Sequence, residues 1–227
     1  MAAGASAPRR NAIYDRDCVR CPRLASFLAD IRVRHPAYWA RPVPSFGSPA
    51  PRVLLVGLAP GMHGANRSGR PFTGDFAGIL LYETLFELGL ATRPQSVAVD
   101  DGLALIDARI TNAVKCLPPA NKPQPQEIRC CNSYLANELE ALPSVRVILA
   151  LGRVAHEAVV QACGLKRSAF VFAHAREHAL DGARHLVDSY HCSRYNTQTR
   201  RLTATMFKAV VARACVLAGL GQNGARV

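Results

Sequence analysis

The sequence predicts an α/β fold with a mostly parallel sheet and helices on both faces. Four short apolar runs have the length and composition of strands, and stretches with helical spacing of apolar residues separate them. Polar, glycine- or proline-rich loops follow three of these runs. Strands that alternate with helices pair in parallel, because each crossover brings the chain back to the same end of the sheet.

The first strand and its loop lie near the start of the chain. Val53–Val56 is a short apolar run, and the glycine-rich loop Leu58–Asp75 follows it. Phe76–Leu88 has apolar residues at helical spacing, and Gly89 is a natural C-cap. A further helical pattern, Leu24–Ile31, precedes this unit.

The second part of the chain repeats the alternation. Val145–Leu151 is apolar enough to be buried on both faces, as in a central parallel strand. Leu165–Asp181 is expected to be irregular or a short hairpin. Pro125 and Thr203 suit the first turn and the N-cap of helices. The remaining strands are predicted at Ile110–Val114 and His185–His191, and the remaining helices at Gln126–Leu142, Val154–Cys163 and Thr203–Leu220.

Composition bounds the organisation. The 227 residues, 49% of them hydrophobic, suit a single domain over residues 1–227, with flexible ends at 1–10 and 221–227. No apolar run approaches a membrane span, and Met1–Arg10 lacks an apolar signal core, so a cytoplasmic protein without membrane contact is expected. We assume a monomer.

The charge balance points to a polyanionic partner. The net charge is +12 with a pI near 9.8, and the basic residues are scattered along the chain instead of gathered in a tail. Such a distribution suits a folded groove that attracts nucleic acid. General solubility is the simpler alternative, because many basic proteins bind no anionic partner.

The loop Leu58–Asp75 is the main candidate for function. Its glycines permit close approach of a ligand to backbone, and it contains no nucleotide-binding motif of the P-loop or Gly-x-Gly-x-x-Gly kind. In a parallel sheet it lies at the same edge as the loops Lys115–Pro125 and His191–Asn196, where such sheets bind ligands. A surface loop without function is less expected at this length.

Eight cysteines occur without an export signal, so metal binding or core packing is favoured over disulfides. Cys18 and Cys21 form a Cys-x-x-Cys pair, which is typical of metal or redox sites. Zinc remains open on this evidence, although the spacing of Cys116 and Cys131 is unlike that of a zinc knuckle. Cys130 competes with its neighbour Cys131. We expect Cys163, Cys192 and Cys215 to be core or loop thiols.

Two motifs resemble those of the uracil-DNA glycosylase superfamily. They are Gly57-Leu-Ala-Pro-Gly61 with Gly69-Arg-Pro-Phe-Thr-Gly-Asp75, and His191-Cys-Ser-Arg-Tyr-Asn196. The chain is most similar to the type 5, iron–sulfur branch, over about Asp17 to Leu220. The resemblance implies a three-layer α/β/α sandwich with a four-stranded mostly parallel sheet. It also implies that uracil, and other deaminated or damaged bases such as hypoxanthine or ethenocytosine, are removed from DNA to leave an abasic site.

The resemblance also assigns roles to residues. Asp75 would position the attacking water or stabilise the cationic sugar, and His191 would donate to a uracil oxygen and stabilise the leaving anion. Type 4 relatives carry a catalytic Glu just after the first motif glycine, where this chain has Leu58. The substrate-binding residues implied are Leu58, Ala59, Gly61, Phe72 (stacking), Asn121 (base edge), and Arg194 and Tyr195 (wedge). The residues implied to hold a [4Fe–4S] cluster are Cys18, Cys21, Cys116 and Cys131.

Each role has a simpler alternative in the residue type alone. Phe72 would otherwise be a core residue, Asn121 a turn residue among prolines, His191 a hydrogen-bonded strand-end residue, and Asp75 a helix N-cap. For the whole chain, the alternatives are a type 4-like enzyme restricted to uracil, a non-catalytic damage-binding module, and a zinc-stabilised RNA-binding domain.

Overall fold

The computed structural model describes residues 12–180 and 182–221, so the predicted flexible ends, 1–10 and most of 221–227, lie outside the described residues. The helices are α1 (Pro22–Arg34), α2 (Ala65–Ser68), α3 (Phe76–Glu87), α4 (Pro125–Ala141), α5 (Arg153–Ala162), α6 (Arg194–Gln198) and α7 (Ala204–Leu217). The strands are β1 (Phe46–Gly47), β2 (Val53–Gly57), β3 (Ala108–Asn112), β4 (Val147–Leu151), β5 (Glu177–Ala179) and β6 (His185–Ser189).

The strands form one sheet in the order β1-β3-β2-β4-β6-β5. The four inner strands are parallel, which confirms the predicted α/β class, and the central strands β2 and β4 are buried throughout. The predicted count of four strands is wrong, because β1 and β5 add antiparallel edges. These edges have two and three residues, too few to show a strand period in the sequence.

Helices cover both faces of the sheet. Val53 and Leu55 of β2 pack in the same core as α3 and α7, whereas Leu54 and Val56 pack in the core of α4 and α5. This division follows from the alternation of side chains along a strand. Burying one such leucine stabilises the fold by about 1.5–3 kcal/mol. The predicted three layers are therefore confirmed.

Caps position the helices that border the strand ends. Thr203 accepts a hydrogen bond from the amide of Met206, as expected of an N-cap, and Pro125 is the first residue of α4. Gly89, two residues after the end of α3, has φ +74°, and the amide of Leu90 donates to the carbonyl oxygen of Leu85 at 2.8 Å. The predicted helix ends are thus confirmed to within a few residues.

Leu165–Asp181, which is expected to be irregular or a short hairpin, is irregular over its described residues apart from a 3-10 turn at Arg167–Ala169 and the strand β5, whose hairpin partner β6 lies beyond it. β5 pairs antiparallel with β6, with Glu177 opposite Val187. None of the helices in the described part of the chain combines the length and apolar character that crossing a bilayer requires.

Candidate active site

The three predicted loops meet at the carboxyl ends of the parallel strands and enclose a cavity of about 510 Å³. This is where an open α/β sheet binds its ligand. Of the predicted catalytic and substrate-binding residues, all but Tyr195 line this cavity: Leu58, Ala59, Gly61, Phe72, Asp75, Asn121, His191 and Arg194.

Phe72 and His191 form one wall of the cavity. Their ring centroids are 5.9 Å apart and the rings are inclined by 28°. Phe72 is held at φ +54° and is 6% exposed. Gly57 makes room for it, since a Cβ there would lie 2.8 Å from Phe72 Cζ. The ring is therefore fixed in position with one side on the cavity.

Asp75 caps α3 and also lines the cavity. Its Oδ1 accepts a hydrogen bond from the amide of Gly78 at 2.8 Å. Its Oδ2 approaches Gly64 so closely that a Cβ there would lie 2.5 Å away. Burial raises the pKa of the Asp75 carboxyl, against the lowering by the amides of Gly78 and Ala77. The Asp75 side chain can therefore cap α3 and face the cavity at the same time.

His191 follows β6 and is partly exposed to the cavity. Burial lowers its pKa to about 4, so the imidazole is neutral at neutral pH and can donate one N–H. Asn196 Nδ2 donates to the carbonyl oxygen of His191 at 2.8 Å and fixes the backbone. Gly152 allows α5 to begin beside this histidine, because its φ of +99° is a backbone conformation that residues with a side chain rarely adopt.

Asn112 is a cavity residue that the sequence reasoning missed. It is the last residue of β3 and is 3% exposed. Its Oδ1 is buried without a hydrogen-bond partner among the described residues. Asn121, in contrast, is exposed at the rim and has φ +55°. A polar residue at the end of an apolar parallel strand was the signal that could have found Asn112.

The two candidate wedge residues occupy different positions. The guanidinium of Arg194 lies 4.9 Å from the centroid of the Phe76 ring, across the cavity mouth. Tyr195 is 70% exposed and does not line the cavity. The wedge role of both remains a prediction.

The predicted cluster cysteines come together away from this cavity. Cys18, Cys21, Cys116 and Cys131 line one small cavity between α1, the end of β3 and α4, and Cys130 lines it too. Burial raises the pKa of the Cys21 thiol to about 12, and it also raises the pKa values of Cys116 and Cys131. Four converging thiols in an apolar enclosure fit a group whose positive charge would stabilise thiolates.

Cys131 is better placed than Cys130 within this group. Cys131 is 7% exposed, and its Sγ accepts a hydrogen bond from the amide of Lys115 at 3.3 Å. Cys130 is partly exposed, and its Sγ donates to the carbonyl oxygen of Arg20 at 3.9 Å.

Arg23 of α1 binds Glu127 of α4 with two contacts of 2.7 Å and so fixes the two helices around the thiols.

The family model described as the uracil DNA glycosylase superfamily matches residues 44–215. This chain belongs to the uracil-DNA glycosylase superfamily. It is 51% identical to the type-5 uracil-DNA glycosylase of Thermus thermophilus, over 89% of this chain and 94% of that protein. It is 43% identical to the type-5 enzyme of Pyrobaculum aerophilum, over 89% and 90% of the two chains. The predicted resemblance to the type 5 branch is confirmed.

Similarity to the type 4 branch of the superfamily is more limited. The type-4 uracil-DNA glycosylase of Archaeoglobus fulgidus is 39% identical over 50% of this chain. Leu58, where the resemblance leads us to expect a catalytic Glu in type 4 relatives, places an apolar side chain against the cavity. Among the described residues that line the cavity, Asp75 is the one carboxylate.

Proposed function

We propose that this chain is a DNA repair enzyme that hydrolyses the N-glycosidic bond of uracil in DNA and leaves an abasic site. One observation carries the proposal: Asp75 and His191 line the same cavity, together with an aromatic ring and a buried amide. The similar type-5 relatives named as uracil-DNA glycosylases support it.

The substrate is a nucleotide turned out of the helix. A duplex hides the glycosidic bond, so the base must enter a pocket to be cut. Phe72 supplies the surface on which the base stacks. Asn112 reads the pyrimidine edge from the cavity floor, because a buried amide both donates and accepts hydrogen bonds. Asn121, at the rim, is the second amide available.

Cleavage of the glycosidic bond separates charge, with negative charge on the uracil and positive charge on the sugar. His191, neutral at neutral pH, donates to the uracil oxygen on which negative charge develops. Asp75 positions water or stabilises the cationic sugar from the other side. A neutral imidazole suits this role, because the buried site disfavours the positive charge of an imidazolium.

Hydrolysis without strand cleavage is the expected outcome. A glycosylase that also cuts the strand uses an amine to form a Schiff base with the sugar. The described residues that line the cavity include no lysine. Lys115 lines the thiol cavity instead and is buried against Glu138 at 3.2 Å. We therefore expect a monofunctional enzyme whose attacking group is water.

The range of bases extends beyond uracil in this proposal. The cavity, at about 510 Å³, is wide, and the apolar Leu58 stands where type 4 relatives would have a carboxylate. Hypoxanthine and ethenocytosine are the test bases. An enzyme restricted to uracil would instead resemble type 4 in specificity.

Cys18, Cys21, Cys116 and Cys131 would hold a [4Fe–4S] cluster. When bound, it supplies a rigid link between α1, the end of β3 and α4. We expect the purified protein to be brown and to contain iron, and Cys131→Ser to lose this iron while Cys130→Ser retains it. A colourless protein with one zinc would contradict the cluster, and the opposite pattern for the two variants would contradict the ligand choice.

A base-release assay tests the proposed function. Single-stranded and duplex oligonucleotides with uracil, hypoxanthine or ethenocytosine are incubated with the protein, and abasic sites are measured with and without alkaline cleavage. Release of uracil, with strand breaks only after alkali, is expected. Binding of these oligonucleotides without release would indicate a non-catalytic module, and the absence of both would indicate a different nucleic-acid partner.

A further inference from the structure

Three buried polar side chains that the base cavity does not use lie together beside β6. They are His156 of α5, His178 of β5 and Asp188 of β6, and one nitrogen or oxygen atom from each lies within 4.8 Å of the other two. The side chains of His156 and Asp188 are 2% and 0% exposed, and that of His178 is 11% exposed. The rings of Phe170 and Phe172 pack against the two histidines. A carboxylate in such an enclosure requires partners.

The surroundings of His156 decide which of its nitrogens carries hydrogen. Nε2 lies 2.9 Å from the carbonyl oxygen of Phe170, so it must be an N–H donor. Nδ1 lies 2.7 Å from Asp188 Oδ1, and because a carboxylate oxygen only accepts, Nδ1 carries a second proton that it donates to this oxygen. Histidines that bind metals usually donate their other ring N–H to a backbone carbonyl or a carboxylate. Once the Nδ1 proton leaves, His156 therefore has the tautomer that a metal ion at Nδ1 requires.

His178 presents a nitrogen that the protein leaves unsatisfied. Its Nε2 is buried and makes no hydrogen bond to any residue in the described ranges. It lies 3.4 Å from Asp188 Oδ2. That oxygen also receives only a long hydrogen bond, 3.4 Å, from the amide of Ala173. A buried polar atom without a partner is unfavourable, and a cation between these groups would satisfy both.

We propose that His156 Nδ1, His178 Nε2 and the Asp188 carboxylate form a binding site for Zn²⁺. Two imidazoles and one carboxylate are a common three-ligand set for this ion, with a fourth position for water. Zinc takes the place of the proton on His156 Nδ1, and that proton is released to solvent. The nitrogen and oxygen ligands distinguish this site from the thiol site.

The proposed ion joins three elements of the fold. α5 begins at Arg153, which lines the base cavity, and β6 leads into His191. β5 belongs to the edge hairpin and pairs with β6 alone. Zinc would therefore fix the hairpin to the sheet and raise thermal stability, because it binds the folded chain. This inference does not depend on the proposed function.

Zinc titration of the full-length, iron-loaded protein tests the site. Affinity is measured by competition with a chromophoric zinc chelator, for the wild type, His178→Ala and the control His35→Ala. His35 stacks on Tyr38 with ring centroids 4.6 Å apart, outside the proposed site. We expect one zinc per chain, and a loss of affinity of at least about 100-fold in His178→Ala only.

Melting temperature provides the second readout and controls for folding. Zinc is expected to raise the melting temperature of the wild type and of His35→Ala over that in chelator, and to leave His178→Ala unchanged. If His178→Ala does not fold, His178→Gln replaces it with the same expectation. A wild type that takes up no zinc at neutral pH would overturn the proposal, because the proton on His156 Nδ1 would then not be displaced by the metal. Equal zinc affinity in His178→Ala or His178→Gln would also overturn it.

Discussion

Two neighbouring residues at the end of β3 face opposite sides of the sheet and differ in how their polar groups are satisfied. Thr111 donates a hydrogen bond to Glu138 Oε2 at 2.8 Å, within a buried network that includes Arg109 and Lys115. Asn112 lines the base cavity, and its buried Oδ1 has no hydrogen-bond partner among the described residues. Buried polar atoms are normally paired, so the unpaired one marks the place where a ligand is expected.

The network on the Thr111 side is complete. Arg109 Nε contacts Glu138 Oε1 at 2.8 Å, Lys115 Nζ contacts Oε2 at 3.2 Å, and Lys115 also donates to Ser45 and Thr111. Burial alone would raise the pKa of Glu138, but Lys115 and then Arg109 lower it to about 2. We infer that this side of β3 stabilises the fold and that the other side binds substrate.

The largest expected effect is on stability, from Glu138→Ala. The change leaves Lys115 and Arg109 without their shared carboxylate in a buried position. We expect the free energy of unfolding to fall by about 3–5 kcal/mol. Denaturant unfolding measures this, and base release at a temperature where the variant is folded should stay close to the wild type. A variant as stable as the wild type would contradict the assignment of this network.

The free energy of unfolding at acidic pH provides the second test of the same network. Because the pKa of Glu138 is lowered in the folded state, its contribution is present above the unfolded value of about 4.3 and is lost as pH falls toward 2. The expected contribution is about 3 kcal/mol. Unfolding of the wild type and Glu138→Gln between pH 2 and pH 6 measures it. Parallel curves for the two proteins would argue against this contribution.

Asn112→Ala tests the other side of β3. Since Asn112 Oδ1 has no partner among the described residues, its removal should change stability little. Loss of its hydrogen bonds to the base should slow uracil release by about 10- to 100-fold, or about 1–3 kcal/mol. Asn121→Ala, at the rim, serves as the matched amide and should lose less. If Asn121→Ala were the slower variant, Asn121 would be the residue that reads the base.

The smallest expected effect concerns pH. His191 is buried enough that its pKa is lowered to about 4, so base release should not change between pH 6 and pH 8 through this group. Because the unfolded state binds more protons between pH 4 and pH 6.5, His191 also makes stability rise with pH over that range. Single-turnover rates against pH measure the first point. A fall in rate with a midpoint near 6.5 would show a histidine of ordinary pKa.

Local patterns were sufficient to predict the inner sheet. Val147–Leu151 was found because a strand buried on both faces is a continuous apolar run. Two sequence motifs, one that ends at Asp75 and one that begins at His191, predict most of the residues that line the cavity. Strong local signals of this kind do not depend on distant parts of the chain.

Features that depend on distant residues were missed. β1 is only two residues long and exists through its pairing with β3. The pairing of Lys115 with Glu138, and of His156 with Asp188, joins residues far apart in sequence. The apolar pattern places Asn112 inside the predicted strand Ile110–Val114, whereas β3 lies two residues earlier and ends at Asn112.

The central claim is that Asp75 and His191 act together on one everted base, and single-turnover uracil release tests it most directly. Asp75→Asn, which can still cap α3, and His191→Ala should each slow release by at least about 10²- to 10³-fold. Both should bind a uracil-containing oligonucleotide with near wild-type affinity. Release within a few fold of the wild-type rate in either variant would contradict the claim.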